Sequence, residues 1–304
     1  MSRATLIGID WGTSNLRASL IDASGHAIET RNAAGGIMAV NERQFARELL
    51  GLCGDWIDGL SVPLVASGMI GSRQGWKEAA YLTCPATLAL ASTQLARVEV
   101  RPGTFMHIVP GLRCVGVDRV HDVMRGEETQ LWGADLANGS CCVLPGTHSK
   151  WAWVGQDARI DRFETYMTGE LYGLLTQHGV LGRLMVFGTW RPDQFEAGVR
   201  LGLAQHANAL HVIFAARTAG LMEEIDAQGL PDYLSGILIG IEIASATRLQ
   251  PQRHVTLLGD DTLCKRYEAA LTVAGIHSTR AADNATARGQ FLVALAAGLI
   301  KEIS

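Results

Sequence analysis

Apolar and polar positions change period several times along this chain, and the changes mark its elements. Leu6 to Asp10 is an apolar run ending on a carboxylate, and Leu16, Ala18 and Leu20 then alternate with Arg17 and Ser19. Gly12, Thr13, Ser14 and Asn15 lie between them, so GIDWGTSNLRASLID reads as two strands joined by a polar hairpin tip. Ala33 to Met38 reads as a glycine-containing loop. A helix is expected after Asn41, which forms a capping-box pattern with Gln44 and precedes the apolar face Phe45, Leu49, Leu50, Cys53, Trp56 and Ile57. Val62 to Ser67 predicts a buried strand running into a glycine-rich loop, Thr87 to Arg97 a helix, and Thr104 to Val109 a strand ended by Pro110-Gly111. A further helix is expected from Glu127, with Leu131, Ala134 and Leu136 apolar.

The opening plan then recurs. Ser140 to Val154 is an apolar strand, a Gly146-Thr147-His148-Ser149 turn and a second strand through Trp151 and Trp153. The letters repeat weakly and the plan clearly. The remainder is mostly helical, with Thr168 as a cap and helices over 193–205, 208–225 and 232–248. Residues 254–258 predict a strand that enters Gly259-Asp260-Asp261, and 262–274 a helix. A last strand is expected over 276–279 and a last helix over 284–300. The 304 residues suggest two domains. No linker separates them; the boundary is expected within 115–140, with domains of 1–122 and 123–304.

Composition narrows the function classes. Hydrophobic residues make up 48% of the chain and charged residues 18%, enough for a sizeable core. The net charge of −4 argues against a nucleic-acid partner, whose footprint would be basic. The opening MSRATLIGID has too short an apolar run for a signal peptide, and Phe291 to Ile300 is too short for a membrane span. The six cysteines form no C-x-x-C pair and, with nine scattered histidines, no zinc spacing, so a cytoplasmic protein with reduced thiols is expected.

Candidate chemistry gathers at the turns. A glycine-rich tip aims successive backbone N–H groups at one spot and makes an anion nest. Gly12, Thr13, Ser14 and Asn15 form one such tip, and Gly146, Thr147, His148 and Ser149 the other. Asp10 places a carboxylate where Mg²⁺ sits among phosphates, and Arg17 adds a cation. Gly71, Ser72, Arg73, Trp76 and Tyr81 follow a buried strand and resemble a ligand loop, with Arg113 in a second one. Asp122, Glu127 and Glu128 crowd a helix start, where plain dipole electrostatics would also favour acids. Gly259 and Asp260 could hold a nucleoside, but the turn lacks G-x-G-x-x-G, which disfavours a dinucleotide fold. Two related α/β domains would thus grip one nucleotide from both sides.

This arrangement resembles the actin-like ATPase and sugar-kinase superfamily. GIDWGTSNLRASLID is similar to its first phosphate motif, GEETQLWG and LPGTHSKW to its acid-bearing helix start and second phosphate strand, and LLGDDTLCKRYEAAL to its adenosine motif. Pro145 stands where that superfamily places an Asp before the second turn. A closer resemblance, spanning essentially the whole chain, is to the 2-dehydro-3-deoxygalactonokinase family. It is carried by IGIDWGTSNLRA, ASGMIGSRQGWKEAAYLTCPA, VMRGEETQLWG, LPGTHSKW, TYMTGELYGLL and SGILIGIEI. The resemblance implies two ribonuclease H-like domains with mixed sheets flanked by helices and the nucleotide in the interdomain cleft. It further implies ATP and Mg²⁺, and transfer to the 6-hydroxyl of 2-dehydro-3-deoxy-D-galactonate. Within that scheme Glu127 is the first choice of base and Asp122 the second, Arg17 steadies the transferring group, and Arg73 takes the substrate carboxylate. A homodimer is left open. The rival readings are a kinase of the same fold for a neutral sugar or polyol, and a non-metabolic actin-like ATPase.

Overall fold

The computed structural model describes residues 3–41, 44–116 and 119–301. Asp118, at the start of the segment that carries Asp122, Glu127 and Glu128, lies outside them. The chain forms two compact units that are discontinuous in sequence: Met1–Ser140, Trp153–Phe163 and Ala281–Ser304 make the first, Cys141–Ala152 and Glu164–Arg280 the second. The chain therefore does not part at 122/123, and the acid-bearing helix and the C-terminal helix both belong to the first unit.

In the first unit, β1 (Ala4–Trp11), β2 (Asn15–Asp22) and β3 (Ala27–Ala34) form an antiparallel meander. α1 (Phe45–Gly59) leads to β4 (Leu64–Ser67), which pairs parallel to β1. After β5 (Tyr81–Thr83) and α2 (Leu88–Ser92), β6 (Ala96–Arg101) and β7 (Thr104–Ile108) complete a six-stranded sheet of order β3-β2-β1-β4-β7-β6. β8 (Gly111–Val115) and β9 (His121–Met124) join β5 in a separate three-stranded sheet, and α3 (Glu127–Gly133) follows. One face of the large sheet buries Ile7, Ile9, Trp11 and Leu16 with Phe45, Leu49 and Trp56 of α1. Each large apolar side chain so buried contributes roughly 1.5–3 kcal/mol.

The second unit holds β10 (Cys141–Leu144), the start of β11 (Ser149–Val154) and the end of β12 (Ile160–Tyr166), then α4 (Thr168–Gln177), α5 (Pro192–Gln205), α6 (Ala209–Ile213), α7 (Ala215–Leu221) and α8 (Leu230–Thr247). It ends with β13 (His254–Leu257), α9 (Asp261–Val273) and β14 (His277–Arg280). Its sheet order is β12-β11-β10-β13-β14, with β13 parallel to β10. The strand–turn–strand unit that the repeated turn plan anticipates is present twice, each first strand also pairing with a later parallel strand. α5 and α8 cross almost backbone to backbone: a Cβ on Gly198 would lie 2.1 Å from the Tyr233 carbonyl oxygen, and one on Gly240 2.5 Å from that of Val199. Among the described residues no helix is long and apolar enough to cross a membrane.

The last helix, α10 (Ala285–Ala296), returns to the first unit and packs on α3. The approach admits no side chain at two points: a Cβ on Gly133 or on Gly289 would come within 1.9 Å of the opposing carbonyl oxygen. Gln290, buried beneath β1, donates to the Ile9 carbonyl at 2.8 Å and to Ser67 Oγ at 3.0 Å.

Several local expectations change. Gln44, not Asn41, stands at the cap of α1, without a side-chain hydrogen bond. Thr87 does cap α2 through Leu90 N, but that helix stops at Ser92 and the chain turns into β6. Thr168 is the first residue of α4 and not its cap. Arg113 sits on β8 between buried Leu112 and Cys114, and its Nε donates to Thr83 Oγ1 at 3.0 Å. Pro110-Gly111 ends one strand and opens the next, so the expected second ligand loop is a strand.

Candidate active site

The first hairpin tip is held from below. Gly12 N donates to the Asn15 carbonyl at 2.9 Å, Ile37 N to the Gly12 carbonyl at 3.0 Å, and Gly35 N to the Ser14 carbonyl at 3.3 Å. A Cβ on Gly36 would lie 2.1 Å from the Thr13 backbone, so the chain leaving β3 lies flat under the tip. Thr13, Ser14 and Asn15 face solvent on top.

Behind the tip, three chain ends converge. Gly68, with φ +92°, ends β4, and a Cβ there would lie 2.8 Å from the Trp11 carbonyl oxygen and 3.5 Å from Asp10 Oδ1. Gly126, with φ +113°, opens α3, and a Cβ there would lie 3.2 Å from Gly68 Cα. Both backbones occupy the left-handed half of conformational space that glycine alone enters cheaply. The result places Glu127 close enough for its charge to raise the Asp10 carboxyl. Burial is the larger cause of that rise, and Arg17, paired across the strands with Asp10, opposes it. Arg17 is exposed and donates from Nε to Asn32 Oδ1 at 3.2 Å. A cavity of about 200 Å³ opens on this face, lined by Gly8, Asp10, Arg17, Asn32 and the start of α10.

The three competing acids separate clearly. Glu127 is half-buried and accepts from the Arg125 backbone N–H at 2.9 Å. Glu128 is fully buried, accepting from Gly126 N at 2.7 Å and from Thr129 Oγ1 at 2.9 Å. Burial first, then the charge of Glu127, pushes the Glu128 carboxyl up to about 7. Asp122 lies on β9, opposite Cys114, so the helix does not begin early enough to carry it. Among the described residues no group of three or more His, Cys, Asp or Glu could cage a metal ion. Mg²⁺ needs no such cage, because it takes one or two carboxylates with waters and substrate phosphates. Asp10, with Glu127 beside it, fits that donor set.

In the loop after β4, Arg73 is 88% exposed and pairs with Glu78 at 3.1 Å. Trp76 stacks on Phe45 at a ring separation of 6.1 Å and joins the core. Tyr81, 37% exposed on β5, covers Arg125, whose Cζ lies 4.2 Å from the ring centroid. Arg125 is 6% exposed and donates from Nη2 to the Ala79 carbonyl at 2.8 Å. Its Nε and Nη1 have no hydrogen-bond partner, and neither has Ser72 Oγ. Leaving a buried polar group unpaired costs roughly 1–3 kcal/mol. Pattern reading passes over Arg125; the available signal is a basic residue directly before Gly126-Glu127.

In the second unit, the Gly146–Ser149 turn is locked to α4. A Cβ on Gly169 would lie 2.5 Å from the Gly146 carbonyl oxygen, Glu170 N donates to the Thr147 carbonyl at 2.9 Å, and His148 pairs with the Glu170 carboxylate. Ser149 turns inward, and its hydroxyl donates to Glu242 at 2.7 Å. Only its backbone is left for the turn. Glu242, fully buried on α8, also accepts from Trp151 Nε1 at 2.8 Å, Tyr267 OH at 2.7 Å and the Thr168 hydroxyl. Burial raises its carboxyl while these four donors hold it down. Beside this hub is a cavity of about 140 Å³ lined by Gly146, Gly169, Tyr172, Leu238, Leu263 and Tyr267. Gly259, with φ +134°, approaches Pro145 at the end of β13, and a Cβ there would lie 3.5 Å from the Pro145 carbonyl oxygen. Asp260 caps α9, accepting from Thr262 N at 2.9 Å and Leu263 N at 3.1 Å.

Comparison with known proteins agrees with this construction. The sequence profile of the 2-keto-3-deoxy-galactonokinase family matches residues 10–293. The 2-dehydro-3-deoxygalactonokinase of Escherichia coli K12 is 38% identical over 283 residues, which cover 92% of this chain and 94% of that protein. A crystal structure assigned as a 2-dehydro-3-deoxygalactonokinase from Sinorhizobium meliloti superposes with a TM-score of 0.86 at 33% identity, covering 95% of this chain and 98% of that one. The activator of 2-hydroxyisocaproyl-CoA dehydratase from Clostridium difficile shares the fold, with a TM-score of 0.54 at 12% identity over 99% of this chain and 100% of that one. The fold is that of the actin-like sugar kinases and ATPases, and the chain belongs to the 2-keto-3-deoxy-galactonokinase family.

Proposed function

We propose that this chain transfers the γ-phosphoryl group of ATP to the 6-hydroxyl of 2-dehydro-3-deoxy-D-galactonate, in the cytoplasm, as a step of galactonate catabolism. The observation that carries this is the convergence of Asp10 and Glu127 at Gly68 and Gly126, in a chain of this family. Glu127 takes the proton from the 6-hydroxyl as O6 bonds to the γ-phosphorus and the bond from that phosphorus to its bridging oxygen breaks, releasing ADP. Asp10 would hold Mg²⁺, which neutralises charge on the phosphates. The N–H groups of Thr13 and Ser14 at the Gly12–Asn15 tip, whose Gly12 N–H closes the turn, and the Arg17 guanidinium would supply further positive potential in the first unit. Glu128, closed off in the protein, positions the start of α3 instead of acting on substrate.

In the second unit, the Gly146–His148 turn and the Ser149 backbone would bind phosphate. Gly259 and the 140 Å³ cavity would accept the nucleoside. Asp260 serves that side through its helix cap. Gly71, Ser72 and Tyr81 would face the sugar acid. Arg73 and Arg113, exposed and carrying neutral or readily exchanged partners, would act at the rim.

The test is ADP release across a panel of sugar acids and neutral sugars. Release dependent on 2-dehydro-3-deoxy-D-galactonate is expected. Equal release with neutral sugars or polyols would replace the substrate class, and release with no acceptor would replace the kinase.

A further inference from the structure

Resting on the sugar-acid kinase reading, we infer that Arg125, and not the exposed Arg73, reads the substrate's C1 carboxylate, with Ser72 Oγ as its neighbour. Three observations in the first unit converge on this. Arg125 is almost wholly buried, yet Nε and Nη1 have no partner. Each is a charge-assisted donor on a different edge of the planar guanidinium, so an anionic oxygen at either edge would be held by a strong hydrogen bond. Ser72 Oγ, a second buried donor without a partner, adjoins Gly71, and a Cβ on Gly71 would lie 2.8 Å from Arg125 Nη1. The absent side chain leaves the guanidinium edge room beside this loop. A buried cation with one hydrogen bond and no carboxylate partner is costly unless another anion completes it.

Arg125 is also placed for this length of substrate. It stands two residues before Glu127, whose carboxylate accepts from Arg125's own backbone N–H. That contact keeps the Glu127 carboxylate within about the reach of one arginine side chain from the guanidinium, a scale that an extended six-carbon acid can bridge. One end would therefore meet the base while the other meets the guanidinium. Entry needs Tyr81 to roll aside: its ring covers the guanidinium, but it is partly exposed and sits on a three-residue strand. Arg73, already paired with Glu78 in solvent, offers a weaker and less selective contact.

The test compares Arg125→Met, Arg125→Lys and Arg73→Ala in steady-state kinetics with 2-dehydro-3-deoxy-D-galactonate and with its C1 carboxamide. Arg125→Met is expected to raise KM for the acid by roughly 10²-fold, to leave KM for ATP within about twofold, and to abolish the preference for acid over amide. Arg125→Lys keeps the charge without the planar guanidinium and should fall between Met and wild type, which keeps the question open to test even if the Met variant does not fold. Arg73→Ala should raise the acid KM far less. In thermal unfolding, the ligand-free Met variant should match or exceed wild type, and the shift given by the sugar acid should vanish while that given by ATP remains. A Met or Lys variant that keeps the wild-type acid KM, or raises both KM values equally, overturns the assignment. So does a Met variant whose ligand-free unfolding temperature falls while it keeps its acid preference, which would make Arg125 structural. If wild type itself releases no ADP with the acid, the kinase reading fails first and the assignment with it.

Discussion

Replacing Glu128 with Gln tests whether the start of α3 is held by a carboxyl that resists ionisation. The Glu128 carboxyl stands at about 7, against 4.5 for a free one, with burial as the main cause and Glu127 as the second. A raised carboxyl makes the folded state bind more protons than the unfolded state. Its contribution is therefore fully present below pH 4.5 and is lost as pH rises through 7. At about 1.4 kcal/mol per pKa unit, that loss is roughly 3 kcal/mol. Glutamine has the same shape and does not titrate. It keeps one carbonyl for Gly126 N or Thr129 Oγ1 and gives up one acceptor, a penalty of about 0.5–1.5 kcal/mol. Urea unfolding of both proteins between pH 4.5 and 8 should therefore give crossing curves. Wild type is the more stable at the acid end, and Glu128→Gln is the more stable at pH 8 by roughly 2 kcal/mol. Parallel curves across that range would refute the reasoning, because the carboxyl would then ionise freely in the fold.

Glu127→Gln should lower kcat by roughly 10²- to 10⁴-fold with little change in ATP affinity, measured by coupled ADP release; a comparable loss in Asp122→Asn alone would move the base to β9. Asp10→Asn should nearly abolish turnover yet be at least as stable as wild type at neutral pH. Burial raises this carboxyl, so ionising it works against folding; a variant with normal kcat would reduce Asp10 to a strand residue. Glu242→Ala strips four donors of their acceptor, at roughly 1–3 kcal/mol for each left unpaired. It should lower the unfolding temperature and raise KM for ATP, while Glu242→Gln, which keeps a carbonyl for Ser149 and Trp151, should do much less.

The alternation around Gly12–Asn15 and Gly146–Ser149 announced a strand–turn–strand unit at each tip, because a half-buried strand leaves a period of two that short polar tips interrupt. The strand β3, AIETRNAA, left no such mark: most of its side chains are exposed, and its pairing with β2 is carried by the backbone. β6 was hidden for another reason: ARVEVR does alternate apolar and charged positions, but its first residues fall within the helix expected from Thr87 to Arg97, which stops at Ser92. The return of α10 to the first unit is written in Gly133 and Gly289, but a glycine within a helix does not announce what it touches. At the candidate site, Asp10 and Glu127 stood out in the sequence as carboxylates beside glycine turns. Arg125 did not, because nothing local distinguishes a buried arginine from an exposed one. Arg73 and Ser149 were legible as residue types, but their directions, one to solvent and one to Glu242, are fixed by partners distant in sequence.

The most direct measurement of the central claim is phosphorus NMR of the product formed from ATP and 2-dehydro-3-deoxy-D-galactonate. The account predicts one new phosphate monoester, coupled to the two protons on C6 and formed in step with ADP. A phosphate on another carbon, or inorganic phosphate as the sole product, would contradict it.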